Sequence, residues 1–110
     1  DGVAAGAPKP QDIGGDLTGG MCVGADCIGI KDGQRKEYFI YQPFDNQDAL
    51  RDFGMQAVVA QTGFGAALGI ELIGRKIWKD AGVFSPEYFP SLPFMELMKE
   101  SGLAYGIEER

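Results

Sequence analysis

The sequence contains no histidine. Histidine is the commonest general base near neutral pH and the commonest metal ligand in proteins. Its absence excludes every catalytic scheme in which histidine activates a serine or cysteine nucleophile. Proton transfer would therefore depend on aspartate, glutamate, lysine, tyrosine or the substrate itself, and the sequence predicts no metal site.

Cysteine is almost as scarce, because the sequence contains only two, Cys22 and Cys27. Their odd separation would place them on opposite faces of a β-strand, so a disulfide between them is not expected. Two thiols alone do not make a zinc site. We interpret both as reduced side chains in the core or at a sheet edge of a cytoplasmic protein, with a redox role as the alternative.

Positive charge is sparse and forms no run, with 10 basic against 16 acidic residues and a net charge of −6. Neither a nucleic acid nor an anionic membrane is therefore predicted as a partner. The first twenty residues, DGVAAGAPKPQDIGGDLTGG, lack the basic and apolar regions of a signal peptide. The chain also starts without methionine, and we expect it to be a piece of a longer cytoplasmic protein.

The length of 110 residues allows one domain. Residues 1–20 are rich in glycine, proline, alanine and aspartate, which indicates a linker or a loosely ordered arm. Residues 21–110 are predicted to form the domain, with 45% apolar residues in the chain as a whole.

The clearest local signal is a β-hairpin. Residues 21–31 and 35–41 are predicted as antiparallel strands joined by a turn at Asp32-Gly33, since Asp-Gly favours the tight turns of hairpins. Pro43 is expected to end the second strand.

Helices are predicted to follow the hairpin. A short helix over residues 47–53 would be capped by Asp45 or Asn46 and stopped by Gly54. A last helix over residues 92–101 would turn an inner face toward the core, formed by Phe94, Leu97 and Met98. Because the strands come together instead of alternating with helices, the predicted class is α+β, an antiparallel or mixed sheet with helices on one face.

The stretch VVAQTGFGAALG, residues 58–69, is typical of the start of a dinucleotide site. The tract looks like a strand that runs into a turn or kink at residues 62–65 and then into a helix over residues 66–78, and Thr62 can cap a helix that starts near Gly63. Gly63 and Gly65 match the first two glycines of G-x-G-x-x-G, but Leu68 occupies the third position. The structural alternative is that these small residues allow close packing of the helix.

A membrane span is not predicted for the same tract. Four polar residues interrupt it within about twenty positions, the length that a span requires. They are Gln56, Gln61, Thr62 and Glu71.

The order of motifs carries a family resemblance over roughly residues 18–110. It resembles the C-terminal portion of saccharopine dehydrogenase-like proteins, a family that includes carboxynorspermidine dehydrogenases. Family members often carry a histidine where this chain has Asn46. The motifs are Tyr41-Gln-Pro-Phe-Asp45-Asn46-Gln47, Gly54-Met-Gln56-Ala57-Val58-Val59, Gln61-Thr62-Gly63, Trp78, Gly82-Val83, Pro86-Glu87, Phe94 and Gly102-Leu103.

The resemblance implies an enzyme with an N-terminal Rossmann domain that binds NAD(P). This chain would be part of a second domain, which supplies substrate contacts and the surface of a homodimer, together with a segment that returns to the first. The implied reaction joins an amine to an aldehyde through an imine that hydride reduces, or the reverse, in lysine or polyamine metabolism. This chain alone would be inactive and would hold no cofactor tightly.

The resemblance also implies positions for two sets of residues. Asp45, Asn46, Gln47 and Gln56 would contact a small amino-acid or polyamine substrate, although Asp45 could equally serve only as a helix cap. A second set would face the nicotinamide, where amides at a helix N-terminus suit a carboxylate. It consists of Gln61, Thr62 and Gly63. No catalytic group is assigned.

Two other classes of function compete with this interpretation. The chain could be a free-standing interaction module whose apolar tract pairs with a copy of itself, or a minimal nucleotide-binding domain. If the apolar helix over residues 64–77 normally packs on a Rossmann domain outside this chain, we expect the chain alone to expose an apolar patch and to self-associate or swap.

Overall fold

The computed structural model describes residues 5–110, with the backbone alone at residues 10 and 11. The chain forms an α+β fold around a three-stranded antiparallel sheet of order β1-β2-β3. The class predicted from the sequence is therefore confirmed. The elements are α1 (Pro10–Ile13), β1 (Gly20–Lys31), β2 (Gln34–Asp45), α2 (Asn46–Phe53), α3 (Ala57–Gly74), a 3₁₀ turn (Pro86–Tyr88), α4 (Leu92–Glu100) and β3 (Gly106–Glu109).

The β1–β2 hairpin is confirmed. Asp32 and Gly33 both adopt positive φ angles, 54° and 76°, as the tight hairpin turn requires at its two central positions. The proposed arm of residues 1–20 lies partly outside the described residues, at positions 1–4, and the division into arm and domain stays a prediction.

The second strand does not end at Pro43, so that prediction is wrong. β2 continues to Asp45, with Pro43 opposite Cys22 of β1. The backbone amide of Asn46 donates to Gly19 on the β1 side, and amide directions alternate along a strand. The nitrogen of Pro43, which carries no hydrogen, therefore points away from β1. On that side of β2, β3 pairs only with Tyr38–Tyr41, so no hydrogen bond of the sheet is lost at Pro43.

The last strand escaped the sequence analysis, because residues 106–109 are short and acidic. In the structure they form β3 and pair with the middle of β2. The ring of Tyr41 covers Gly106 so closely that a Cβ atom there would require the ring to move. Lys36 of β2 also forms an ion pair with Glu109 of β3.

The two cysteines lie on β1, and both are free thiols with exposed side chains. They lie five positions apart on the same extended strand, with Cys22 opposite Pro43 and Cys27 opposite Tyr38. Their placement at a sheet edge is confirmed, since β1 is an outer strand. Burial in the core is ruled out.

The largest error concerns the tract after α2. Residues 57–74 form one continuous helix of 18 residues, with no strand and no turn at residues 62–65. Its inward positions recur every three or four residues across the whole tract, which is the helical period. Four of them are buried: Ala57, Ala60, Leu68 and Leu72. Gly63 and Gly65 lower helix propensity but do not interrupt this pattern.

The core lies where α3 meets α4 and the loop between them. It consists of Leu68, Leu72, Trp78, Leu97 and Leu103. The predicted helix over residues 92–101 is confirmed within one residue, and Leu97 is its buried position. Gln42 and Phe44 of β2 face α3 and α2, so these helices cover one face of the sheet.

The opposite face of α3 is exposed, as expected. Ile70 is 70% exposed and Ile73 is 58% exposed. By length and composition α3 could cross a membrane, a criterion that core helices of soluble proteins also meet. Only 22% of this helix is buried, which leaves a long apolar surface without a partner in the described chain.

The end of α3 allows a prediction about stability. The amide of Lys76 donates to Ile73 and that of Ile77 to Leu72, both at 2.9 Å, in the arrangement that glycine usually closes. Lys76 adopts φ 60°, which costs a side-chain-bearing residue about 1 kcal/mol. We expect Lys76→Gly to raise the free energy of unfolding by about 0.5–1 kcal/mol in urea denaturation.

The matched control for that change is Lys76→Ala. It removes the same charge and keeps the strained backbone, so it should leave stability unchanged. An equal gain from both variants would show that the lysine side chain, and not its backbone, is unfavourable.

Candidate functional site

The predicted substrate residues lie where β2 passes into α2. Asp45 is the N-cap of α2, since its Oδ1 accepts hydrogen bonds from the amides of Gln47 at 2.8 Å and Asp48 at 3.1 Å. The predicted cap and the Gly54 stop are both confirmed. The carboxylate is exposed, so its other oxygen can still contact a ligand.

Asn46, another of the four predicted substrate residues, forms hydrogen bonds with two other segments of the chain. Its Nδ2 donates to the carbonyl of Gly19 at 2.9 Å, and its Oδ1 accepts from the amide of Ala57 at 3.1 Å. The side chain thus joins the segment before β1 to α2 and to the first turn of α3. Both of its polar ends are occupied by backbone groups.

Gln47 extends the same junction. Its Nε2 donates to the carbonyl of Leu17 at 2.7 Å and lies 3.4 Å from that of Gly15. Residues 15–19 are therefore fastened to the start of α2 by two consecutive side chains. Asn46 and Gln47 therefore hold residues 15–19 in position beside the start of α2.

Gln56 lines a pocket beside that junction. The pocket has a volume of about 410 Å³ and combines backbone of the N-terminal segment with apolar side chains. Gln56 is also the N-cap of α3 but makes no capping hydrogen bond, so its amide is available to the pocket. The lining residues are Gly14, Gly15, Leu50, Gly54, Met55, Gln56 and Val59.

The predicted nicotinamide-facing residues occupy three successive positions of α3. Successive helical residues point about 100° apart, so Gln61, Thr62 and Gly63 are not brought together into one site. The prediction that a helix begins at Thr62 is wrong, since α3 begins at Ala57. The Thr62 hydroxyl donates to the carbonyl of Val58 at 2.8 Å, one turn earlier in the same helix.

Gln61 points inward and forms a polar contact within the core. Its Nε2 donates to the carbonyl of Gln42 at 3.1 Å and to its side-chain Oε1 at 3.3 Å. Its own Oε1 is buried and has no hydrogen-bond partner among the described residues. A cavity of about 80 Å³ adjoins it, bounded also by Phe64, Phe94 and Met98.

The glycines of α3 do not provide a dinucleotide loop. Gly63 and Gly65 lie inside the helix, where their amides take part in helical hydrogen bonding instead of pointing at a phosphate. Apart from the adjacent residues and the backbone of α3 itself, no atom of the described chain lies within 4 Å of a Cβ built at either residue. Close packing within this chain therefore does not explain them either.

Two titratable groups in the loop after α3, Asp80 and Tyr88, are hydrogen-bonded to each other. The hydroxyl of Tyr88 donates to Asp80 at 2.7 Å, and the amide of Ala81 donates to the same carboxylate at 2.8 Å. The bond from Tyr88, and then that from Ala81, lowers the pKa of Asp80. The same bond raises the pKa of Tyr88, because the carboxylate stabilises the protonated phenol. This pair fastens the loop and leaves both groups in their ordinary charge states at neutral pH.

An aromatic groove, which the sequence analysis did not predict, separates α3 from this loop. It has a volume of about 440 Å³ and an almost wholly apolar lining. Trp78 forms its floor and is 6% exposed. The lining includes Gly69, Ile70, Ile73, Phe84 and Phe89. Among the described residues, no group of three or more potential metal-binding side chains occurs.

Three characterised proteins resemble this chain over most of its length. It is 36% identical over 98 residues to the carboxyaminopropylagmatine dehydrogenase of Synechocystis sp.. It is 34% and 32% identical over 102 residues to the carboxynorspermidine synthases of Vibrio alginolyticus and Vibrio cholerae. These alignments include 89% to 93% of this chain. No family model matches the sequence.

The similarity concerns a part of each relative. The chain spans 25% of the length of all three. Two of the three names agree with the carboxynorspermidine branch of the predicted resemblance, and none of the three is named as a saccharopine dehydrogenase.

Proposed function

We propose that this chain is part of a longer NAD(P)-dependent oxidoreductase of polyamine synthesis, which joins an amine to an aldehyde by reducing the imine between them. One observation carries the proposal: proteins named as a carboxyaminopropylagmatine dehydrogenase and as carboxynorspermidine synthases resemble about nine-tenths of the chain. The wider saccharopine dehydrogenase-like assignment, and the position of the chain in the C-terminal domain, belong to the same proposal.

The candidate dinucleotide loop at residues 62–65 does not fit the cofactor. The amides that would face a diphosphate belong to the interior of α3, and the resemblance itself assigns NAD(P) to a Rossmann domain. We infer that another part of the longer protein holds the cofactor. This chain then contributes substrate contacts and, as the resemblance implies, the surface of a homodimer.

The substrate contacts are proposed at the pocket beside α2. Gln56 offers its amide to the pocket, while Leu50 and Val59 provide an apolar wall that suits the methylene chain of a polyamine. Asp45 supplies a nearby carboxylate, and the net charge of −6 attracts cationic amines. Asn46 and Gln47 act as positioning residues, because their side chains hold the adjoining backbone.

The test is an assay of the longer protein that contains this chain. Oxidation of NAD(P)H should require both an amine and an aldehyde, and mass spectrometry should find a product in which they are joined through nitrogen. Gln56→Ala should raise the KM for the amine more than it lowers kcat. Val58→Ala, an exposed neighbour, is the control and should change neither.

Two results would reject the proposal. One is an absence of NAD(P)H oxidation with every pair of polyamine-type amine and aldehyde. The other is tight binding of NADPH by the 110-residue chain alone, which would favour a minimal nucleotide-binding domain.

A non-catalytic self-associating module is the second candidate. The exposed apolar face of α3 favours it, and it predicts association of the chain without any catalytic activity in the longer protein.

A further inference from the structure

Gln42 of β2 and Gln61 of α3 bring two carboxamide groups together beside the core. Gln61 donates through Nε2 to the carbonyl of Gln42 at 3.1 Å and to its side-chain Oε1 at 3.3 Å. The Oε1 of Gln61 is buried and accepts from no donor among the described residues. A buried amide oxygen without a hydrogen bond is unfavourable, because it has given up its bonds to bulk water. This oxygen therefore needs a donor.

The contact with Gln42 fixes the orientation of the Gln61 carboxamide. The end that lies 3.1 Å from the Gln42 carbonyl oxygen must be the NH₂ group, because two oxygens at that distance would repel each other. Reversal of the amide is thus excluded. The group left without a partner is an acceptor, and whatever satisfies it must donate a hydrogen bond.

A cavity of about 80 Å³ borders both carboxamides and lies between β2, α3 and α4. Its remaining walls offer no side-chain N–H or O–H group. They are formed by Phe64, Gly65, Leu68, Phe94, Met98 and Leu103. The amide of Gln42 is therefore the one side-chain donor that the described residues present to this cavity.

The cavity meets the conditions for a buried water. Such a site needs roughly 10–15 Å³ of free space and two to four polar partners, whereas a wholly apolar cavity stays dry. Gln61 provides an acceptor. Gln42 provides a donor, since its Nε2 contacts only the sulfur of Met98 at 3.6 Å among the described residues. Sulfur is a weak acceptor, and an NH₂ group carries two hydrogens.

We propose that a water molecule occupies this cavity, donates to Oε1 of Gln61 and accepts from Nε2 of Gln42. Together with the direct bond between the two glutamines, it would complete a polar link between β2 and α3. The proposal concerns the core of this chain and does not depend on the enzymatic chemistry proposed above, so the two can fail separately.

The first experiment detects the water in the wild-type 110-residue chain by nuclear magnetic resonance. The side-chain NH₂ protons of Gln42 and Gln61 should show nuclear Overhauser cross-peaks to water with the sign of a long-lived contact. Rotating-frame spectra separate this signal from proton exchange. The exposed side-chain amide of Gln47 is the control and should show only the short-lived contacts of surface water. Absence of the long-lived signal at Gln61 would overturn the proposal.

The second experiment counts long-lived waters by oxygen-17 magnetic relaxation dispersion. Gln61→Met removes the acceptor and keeps a side chain of similar length, so this variant should lose one long-lived water. Thr62→Met introduces the same side chain at the adjacent exposed position and should lose none. Circular dichroism shows whether both variants fold. Equal numbers of waters in wild type and folded Gln61→Met would contradict the proposal, and the wild-type resonance experiment decides if that variant does not fold.

A crystal structure of the longer protein separates water from the other possible occupants. An ordered oxygen within about 3.2 Å of Gln61 Oε1 would support the proposal. Three findings would overturn it. They are a donor side chain from another region at that position, a direct bond from Gln42 Nε2 to Gln61 Oε1 with no ordered oxygen, and xenon bound in the cavity of a pressurised crystal, since xenon enters dry apolar cavities.

Discussion

Replacement of Trp78 by alanine is expected to destabilise the chain by about 3–5 kcal/mol, the usual cost of removing a large aromatic side chain from a core. Trp78 is stacked between Phe89 and Phe94, with ring centroids at 5.2 Å and 5.7 Å. Its indole Nε1 also donates to the carbonyl of Pro90 at 3.0 Å. One side chain therefore holds the loop and α4 against α3.

The size of the effect follows from the small core. The buried cluster contains five residues, so its other members cannot close the space that the indole leaves. Because small domains are stable by only about 5–15 kcal/mol, we expect Trp78→Ala to be partly unfolded at 37 °C. Far-ultraviolet circular dichroism in urea is the appropriate measurement, since the variant lacks the tryptophan that fluorescence would report.

Two matched variants separate the contributions of Trp78. Trp78→Phe keeps an aromatic ring between the same neighbours and should lose less than half as much stability. Tyr88→Phe removes only the exposed bond to Asp80 and should change stability little. If Trp78→Ala cost less than about 1 kcal/mol, the indole would not be the anchor of the loop.

The parts of the fold that the sequence predicts depend on local chemistry. Asp32-Gly33 specifies a turn through its backbone angles, and Asp45 and Gly54 mark the ends of α2 through caps. These signals act over a few residues and need no knowledge of the rest of the chain. β3 shows the reverse case, because four acidic and apolar residues become a strand only where Tyr38–Tyr41 offers them an edge.

The error at α3 has a physical cause that bears on function. Val58 and Val59 favour a strand locally, and Gly63 and Gly65 favour a break. The tertiary structure overrides both tendencies, because inward residues from Ala57 to Leu72 pack at the helical period. The similarity to a dinucleotide loop therefore arises from local residue preferences within one continuous helix.

The candidate site was predicted less completely than the fold. The sequence placed Asp45, Asn46 and Gln47 next to one another, but their contacts with residues 15–19 and with Ala57 depend on long-range packing. The buried oxygen of Gln61 could have been suspected from a polar residue among inward apolar positions. Its contact with Gln42 could not have been predicted, because local sequence does not determine how α3 packs on β2.

Asn46→Ala is expected to cost about 2–3 kcal/mol, the second largest effect among the variants considered, because it removes two hydrogen bonds and leaves the Ala57 amide without its acceptor. Asn46→Asp should be intermediate, at about 1 kcal/mol. An aspartate can still accept from Ala57 and is favoured at a helix start, but it cannot donate to Gly19. Urea denaturation of the 110-residue chain measures this order, with Gln47→Ala as the milder control.

The same variants decide between the two roles of Asn46 when they are made in the longer protein. If Asn46 is a positioning residue, the KM for the amine should rise as stability falls. Asn46→Asp should then be closer to wild type than Asn46→Ala in both stability and KM. If Asn46 contacts the substrate directly, Asn46→Asp should be stable but should change the KM, because a carboxylate replaces an amide at the ligand. A cost for Asn46→Ala no larger than that for Gln47→Ala would contradict the structural account, since the bonds to Gly19 and Ala57 would then contribute nothing to the junction.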